Sequence, residues 1–246
     1  MIIVYFLIFM LGGCLGSFIT LVTYRLPRNE DIVFKPSQCP KCHKSLGILQ
    51  LFPIISFLWQ KGKCHNCKTK ISIRYPITEV ICGIIAAILF YKYHSNFSLN
   101  YIIELAIYLS LFAMIITDLE NLIVPDEIMI FLFIICSIYN YLNFSDFIFN
   151  YSSSVILASL LFFTGIIVSK IKKRDSLGFA DVKFVASIGC LLPLHSLPAY
   201  LFISGIVGVV TSLISQKLTD KEEFPFIPAL AFSFIICFNN INILTF

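Results

Sequence analysis

The chain has 246 residues, of which 58% are hydrophobic and only 13% charged, and its mean hydropathy is +0.89. A soluble domain of this size is about half apolar and about a quarter charged, so this composition cannot supply a water-facing surface. The chain is therefore expected to cross a membrane several times, with the lipid bilayer as its surroundings and no nucleic-acid partner.

A helix needs ~20 mostly apolar residues to cross the hydrocarbon layer. Seven runs meet that length with modest tilt or trimming: about 2–22, 77–93, 101–117, 126–142, 152–169, 198–216 and 224–243. An eighth, about 182–194, is short and ends at Pro193. No basic segment or small-residue cleavage site marks a secretory signal peptide at the start.

Lys and Arg set the orientation. The first loop carries ten basic residues, from Arg25 to Arg74. The fifth loop and its borders carry Lys170, Lys172, Lys173, Arg174 and Lys183, and the seventh carries Lys217 and Lys221. Only Lys92 falls on the other side. Eight spans thus place loops one, three, five and seven in the cytoplasm and both termini outside.

The first span holds Gly12, Gly13, Gly16 and Ser17, a small-residue face that suits close helix packing. The loop that follows contains Cys39-Pro40-Lys41-Cys42 and Cys64-His65-Asn66-Cys67. Two such pairs suit four-thiolate coordination of zinc, in a closed site that folds the loop. His43 or His65 could each replace one thiolate. Cytoplasmic thiols stay reduced, which argues against two disulfides. The remaining cysteines, Cys14, Cys82, Cys136, Cys190 and Cys237, lie in spans and are expected to act as small apolar residues.

The loop ends at Arg74-Tyr75-Pro76-Ile77-Thr78-Glu79, where Glu79 could serve the helix dipole or a catalytic role. Glu104, a turn inside the third span, is expected to reach the interface without a role. Asp118 opens loop three, ahead of Pro125-Asp126-Glu127, whose two acids suit a helix start. Asp181, in Ser176-Leu177-Gly178-Phe179-Ala180-Asp181-Val182-Lys183, closes loop five. Topology therefore places Asp118 and Asp181 on one, cytoplasmic, face.

Taken singly, either acid could be a cap. Taken together, two acids on one membrane face point to peptide hydrolysis by an activated water. One carboxylate, ionised, accepts a proton from the water; the other, protonated, polarises the scissile carbonyl. A non-enzymatic membrane assembly factor with a zinc docking loop is one alternative. A proton- or ion-coupled transporter is another, although a relay places acids near mid-membrane on several helices.

These residues, in order, resemble the bacterial type IV prepilin peptidases, membrane aspartyl proteases of the GxGD kind. The resemblance rests on Gly16-Ser17-Phe18 with Tyr24-Arg25-Leu26-Pro27, the two C-x-x-C pairs, Arg74-Tyr75-Pro76 with Glu79, Asp118 with Val124-Pro125-Asp126, and Gly178-Phe179-Ala180-Asp181-Val182-Lys183. It implies an all-α polytopic bundle of about eight transmembrane helices with a small cytoplasmic zinc-binding loop domain. Residues 1–24 would be the first helix, 25–75 the four-cysteine loop and 76–246 the protease core. It implies cleavage of the short basic leader of prepilin or pseudopilin substrates in the bacterial cytoplasmic membrane. N-methylation of the new terminus by S-adenosylmethionine would follow. Asp118 and Asp181 match the catalytic pair, Cys39, Cys42, Cys64 and Cys67 the metal ligands, and Glu79 an acid associated with methylation. Ala180 departs from the second glycine of GxGD, and Thr20 stands where many relatives have asparagine.

Overall fold

The structure, a computed structural model, describes residues 1–172, 178–219 and 224–240. Ser176, Leu177, Lys173, Arg174, Lys221 and the end of the last expected span lie outside the described residues. The described residues are helical, with no strand beyond two isolated bridges.

The helices in chain order are α1 (Ile2–Arg25), α2 (Ile55–Trp59), α3 (Arg74–Lys92), α4 (Leu99–Asn121), α5 (Asp126–Asn143), α6 (Phe147–Lys172), α7 (Phe179–Ile188), α8 (Leu197–Thr219) and α9 (Ile227–Asn239). Among the described residues, six of them (α1, α3, α4, α5, α6 and α8) are long and apolar enough to cross a membrane. A further apolar helix, α9 with 13 residues, is shorter, and α7 has 10 residues. At 1.5 Å per residue α7 rises about 15 Å, half of the hydrocarbon thickness, before a 3-10 turn at Gly189–Leu191. The expected run at 182–194 is thus a half-length helix followed by a turn.

The chain divides into two compact units, Met1–Leu109 and Ser110–Phe246, with the division inside α4. In the first unit α1 packs on α3 through backbone-close contacts. A Cβ at Gly12 would come within 2.6 Å of the Cys82 carbonyl, and one at Gly16 within 2.8 Å of Glu79 Cα. The expected small-residue face of α1 is therefore the seam between α1 and α3. Polar side chains extend that seam. The Thr20 and Thr78 hydroxyls meet, and Arg74 Nη2 donates to Thr23 Oγ1 at 2.8 Å. Thr20, at the position that departs from asparagine, is thus a buried partner across the seam.

Glu104 does not reach the interface. It is fully buried, paired with Lys92 and accepting from the Tyr93 hydroxyl, because burial of a carboxylate demands such partners. Lys92 is the basic residue expected on the opposite side from the rest, and it stays 43% exposed while neutralising Glu104.

In the second unit, α7 packs against α5 and α6, and α9 against α8. Asp126 and Glu127 occupy the first turn of α5, as expected for acids at a helix N-terminus. Cys136, Cys190 and Cys237 are buried there as apolar residues, as is Cys82 in the first unit, whereas Cys14 is exposed.

Candidate active site and metal centre

Asp118 lies in the last turn of α4 and is 7% exposed. Its Oδ2 accepts the backbone N–H of Ile227, 3.0 Å away. Ile227 is the first residue of α9, and Pro228 follows it in the same turn. The first amides of a helix have no intrahelical acceptor, so the carboxylate supplies one and meets the positive end of the helix dipole.

Asp181 is held by a different element. Gly178 caps α7, and Asp181 lies in the first turn with 9% exposure. Its N–H donates to the Gly178 carbonyl at 3.0 Å. A Cβ on residue 178 would stand 3.0 Å from Asp181 Oδ2, so glycine there leaves room for the carboxylate. Gly178 itself has φ −68°, and Ala180 is an ordinary helical residue of α7. No glycine-only conformation is required at 180, which removes the force of that departure.

The charge on Asp118 acts on Asp181, so the second unit brings the two buried acids into electrostatic reach. Asp181 also acts on Tyr200, whose ring is fully buried and whose hydroxyl has no hydrogen-bond partner among the described residues. Nothing in the sequence singles out Tyr200, which sits in α8 among apolar residues. Asp126 stays outside this group. It is exposed and pairs with Lys183 Nζ at 2.7 Å, tying the first turn of α5 to α7.

In the first unit the four expected thiolates converge. The Sγ atoms of Cys39, Cys42, Cys64 and Cys67 all lie within 4.8 Å of one another, an arrangement that could hold a metal ion. Cys39 Sγ and Cys67 Sγ are 3.8 Å apart. Zn–S bonds of ~2.3 Å at tetrahedral angles give an S–S edge of about 3.8 Å, so the donor set fits zinc.

Each cysteine pair forms the same knuckle. Cys39 N–H donates to Lys44 O, and His43 N–H donates back to Cys39 O. Cys64 and Lys68 repeat this with Thr69. His43 and Lys68 take left-handed φ values of 54° and 58° to close the turns. Neither His43 nor His65 belongs to the cluster. The Lys44 backbone and the Asn66 side chain hold the Cys42 thiol below its usual range. Hydrogen bonds with the Thr69 side chain and backbone bring Cys67 down to about 6. Both shifts favour the thiolate, the form that binds metal.

Glu79 lies five residues into α3, buried at 7% exposure. Its Oε2 accepts the N–H of Ile54 at 2.7 Å, and Ser17 is a second side-chain partner. Ile54 has φ +62°, a left-handed value that is unfavourable for a β-branched residue. Arg25 is the last residue of α1. It is buried, and its guanidinium donates to the carbonyls of Asp31, Lys35 and Pro36, gathering the loop ahead of the first knuckle.

Comparison with known proteins bears on the whole chain. The Bacterial Peptidase A24 N-terminal domain matches residues 10–93, and the Type IV leader peptidase family matches residues 105–213. The chain is 27% identical to the prepilin leader peptidase/N-methyltransferase of Bacillus subtilis, covering 94% of this chain and 92% of that protein. It is 28% identical to the protein of that name from Neisseria gonorrhoeae, over 93% and 87% of the two chains. It is also 28% identical to the one from Vibrio cholerae, over 94% of each chain. No solved structure matches. The two family matches follow one another along one multi-helix bacterial membrane protein and together cover most of it, and the chain belongs to the type IV leader peptidase family.

Proposed function

We propose that this peptidase removes the leader of type IV prepilin-like proteins at the cytoplasmic face of the membrane, with Asp118 and Asp181 as its catalytic pair. The observation that carries the reading is the convergence of those two acids. They come from the end of α4 and the start of α7, both are buried, and the charge of Asp118 bears on Asp181. Two such carboxylates share one proton, because ionising both in a partly dry site is costly. The ionised member takes a proton from the attacking water, and the protonated member polarises the scissile carbonyl and then protonates the leaving amine.

N-methylation of the new terminus is the second activity of the proposal, with S-adenosylmethionine as the donor. Glu79 serves this half by holding the Pro53–Ile54 segment against α1 and α3. Residues 25–75 form a zinc-ordered loop between the first helix, residues 1–24, and a protease core from residue 76 onward. Zinc held by Cys39, Cys42, Cys64 and Cys67 supplies structure and no hydrolytic water, since all four positions are protein thiolates.

Co-expression with a prepilin separates this reading from an assembly factor or an ion-coupled transporter. Processed pilin in cells that carry this chain, and unprocessed prepilin in cells that lack it, is the expected result. Unprocessed prepilin in both contradicts it.

A further inference from the structure

Between α1 and α3 the loop exposes an apolar surface that its zinc site does not explain. Ile48 and Leu49 are each 86% exposed, and Trp59 is 85% exposed. Phe52, Ile55 and Leu58 are exposed as well. Ile55, Leu58 and Trp59 recur at helical spacing, so α2 turns one apolar face outward. Phe57 packs the other way, against Gly62 in the turn that closes α2. Large apolar side chains exposed together in one non-spanning segment mark an interaction surface.

The depth of the segment identifies what it faces. Pro53 Cβ lies 3.4 Å from where a Cβ of Gly13 would stand, and Gly13 is mid-way along α1. The Ile54 N–H bonds Glu79, about 8 Å inside α3. The loop therefore does not stand off the membrane; it returns alongside two spanning helices to their depth. Irregular backbone at that depth is tolerated only with its polar groups satisfied, and the Glu79 carboxylate provides an acceptor to Ile54.

Charge points the same way. Residues 26–73 carry eight lysines and arginines against two acids. Both acids are engaged, Glu30 with Lys35 and Asp31 with the amides of Val33 and Phe34. Lys61 and Lys63 follow α2 directly, bracketing the patch with positive charge. An apolar face with Trp at its edge and lysines beside it suits the boundary between acyl chains and anionic headgroups.

We propose that residues 48–59 are a re-entrant segment, inserted in the chain's own bilayer beside α1 and α3 with Trp59 at the headgroup boundary and Lys61 and Lys63 on anionic lipid. The zinc knuckles then stand above a lipid-anchored base, so the loop is fixed to the membrane at three places and not two. This inference is independent of the peptidase reading.

Trp59 is the only tryptophan in the chain, so its fluorescence reports this segment alone. The full-length protein is reconstituted in phosphatidylglycerol nanodiscs whose acyl chains are brominated near the headgroup end. The proposal expects Trp59 emission shifted to shorter wavelength, strongly quenched by the brominated lipid and little affected by aqueous iodide. Quenching by iodide without quenching by lipid would place the segment in water and overturn the proposal. Protection from both quenchers would place it against protein and overturn it equally. Lys61→Gln with Lys63→Gln is expected to weaken lipid quenching in phosphatidylglycerol but not in phosphatidylcholine. Equal quenching of the unsubstituted and substituted proteins in phosphatidylglycerol overturns the lysine contribution.

Discussion

Asp118 Oδ2 and the backbone N–H of Ile227, 109 positions apart in sequence, are hydrogen-bonded at 3.0 Å. One carboxylate oxygen thus anchors the start of α9, which gives Asp118 a structural task beside its proposed catalytic one. The two tasks separate by substitution. Asp118→Asn keeps an oxygen for Ile227 and should fold. Asp118→Ala leaves a buried donor unpaired, costing ~1–3 kcal/mol, and should lower the thermal midpoint measurably below that of Asp118→Asn. Equal midpoints would mean that the bond to Ile227 contributes nothing.

Asp126 provides the internal control for the acids. Its pair with Lys183 is exposed, and such pairs contribute ~0–1 kcal/mol. Asp126→Asn is expected to retain most prepilin cleavage and nearly unchanged stability. Loss of cleavage in a well-folded Asp126→Asn protein would move the proposed site toward α5.

The metal prediction is stoichiometric. Protein purified without chelator should contain about one zinc per chain, as a single four-thiolate site requires. Cys64→Ser with Cys67→Ser should abolish binding and expose the loop to limited proteolysis. Full zinc content in that double variant would exclude the four-cysteine site.

Glu79→Gln separates the two proposed activities. The amide retains an acceptor for Ile54 but not the charge, so leader removal should persist while the mature terminus loses its methyl group. Mass spectrometry of the processed pilin reads both outcomes. Fully methylated product from Glu79→Gln would remove the role assigned to that carboxylate.

At the α1–α3 seam, Gly16→Ala places a methyl group 2.8 Å from Glu79 Cα and 2.9 Å from the Thr78 carbonyl. Backbone cannot yield as a side-chain tip can, so the helices must separate at a cost of ~1–3 kcal/mol. A lower midpoint for Gly16→Ala, with no such change for Gly205→Ala in its open surroundings, is the expected pattern.

Features fixed by local chemistry were legible in the sequence. Apolar runs place the long helices, and the two C-x-x-C pairs place the thiolates. What was not legible depends on distant contacts. No local signal ties Asp118 to Ile227, Lys183 to Asp126, or Glu79 to Ile54. Glu104 misled for the same reason, because Lys92 and Tyr93 lie on the preceding helix and its turn and only packing brings them to it. The run at 182–194 has the composition of a span, but its 3-10 turn at Gly189–Leu191 halves the helix. There Gly189 lies against the Ser154 backbone, a contact that leaves no trace in hydropathy.

The claim on which the rest depends is that Asp118 and Asp181 together activate the water that cuts the leader. The direct measurement is the single-turnover rate of leader removal by purified, zinc-replete protein, with Asp118→Asn and Asp181→Asn assayed beside it. Acid–base groups of this kind contribute about 10²- to 10⁴-fold, so each variant should lose at least about 100-fold while keeping its metal and its thermal midpoint. Because the two acids act as one unit, the double variant should be scarcely worse than either single one. Near-normal cleavage by either single variant would contradict the account.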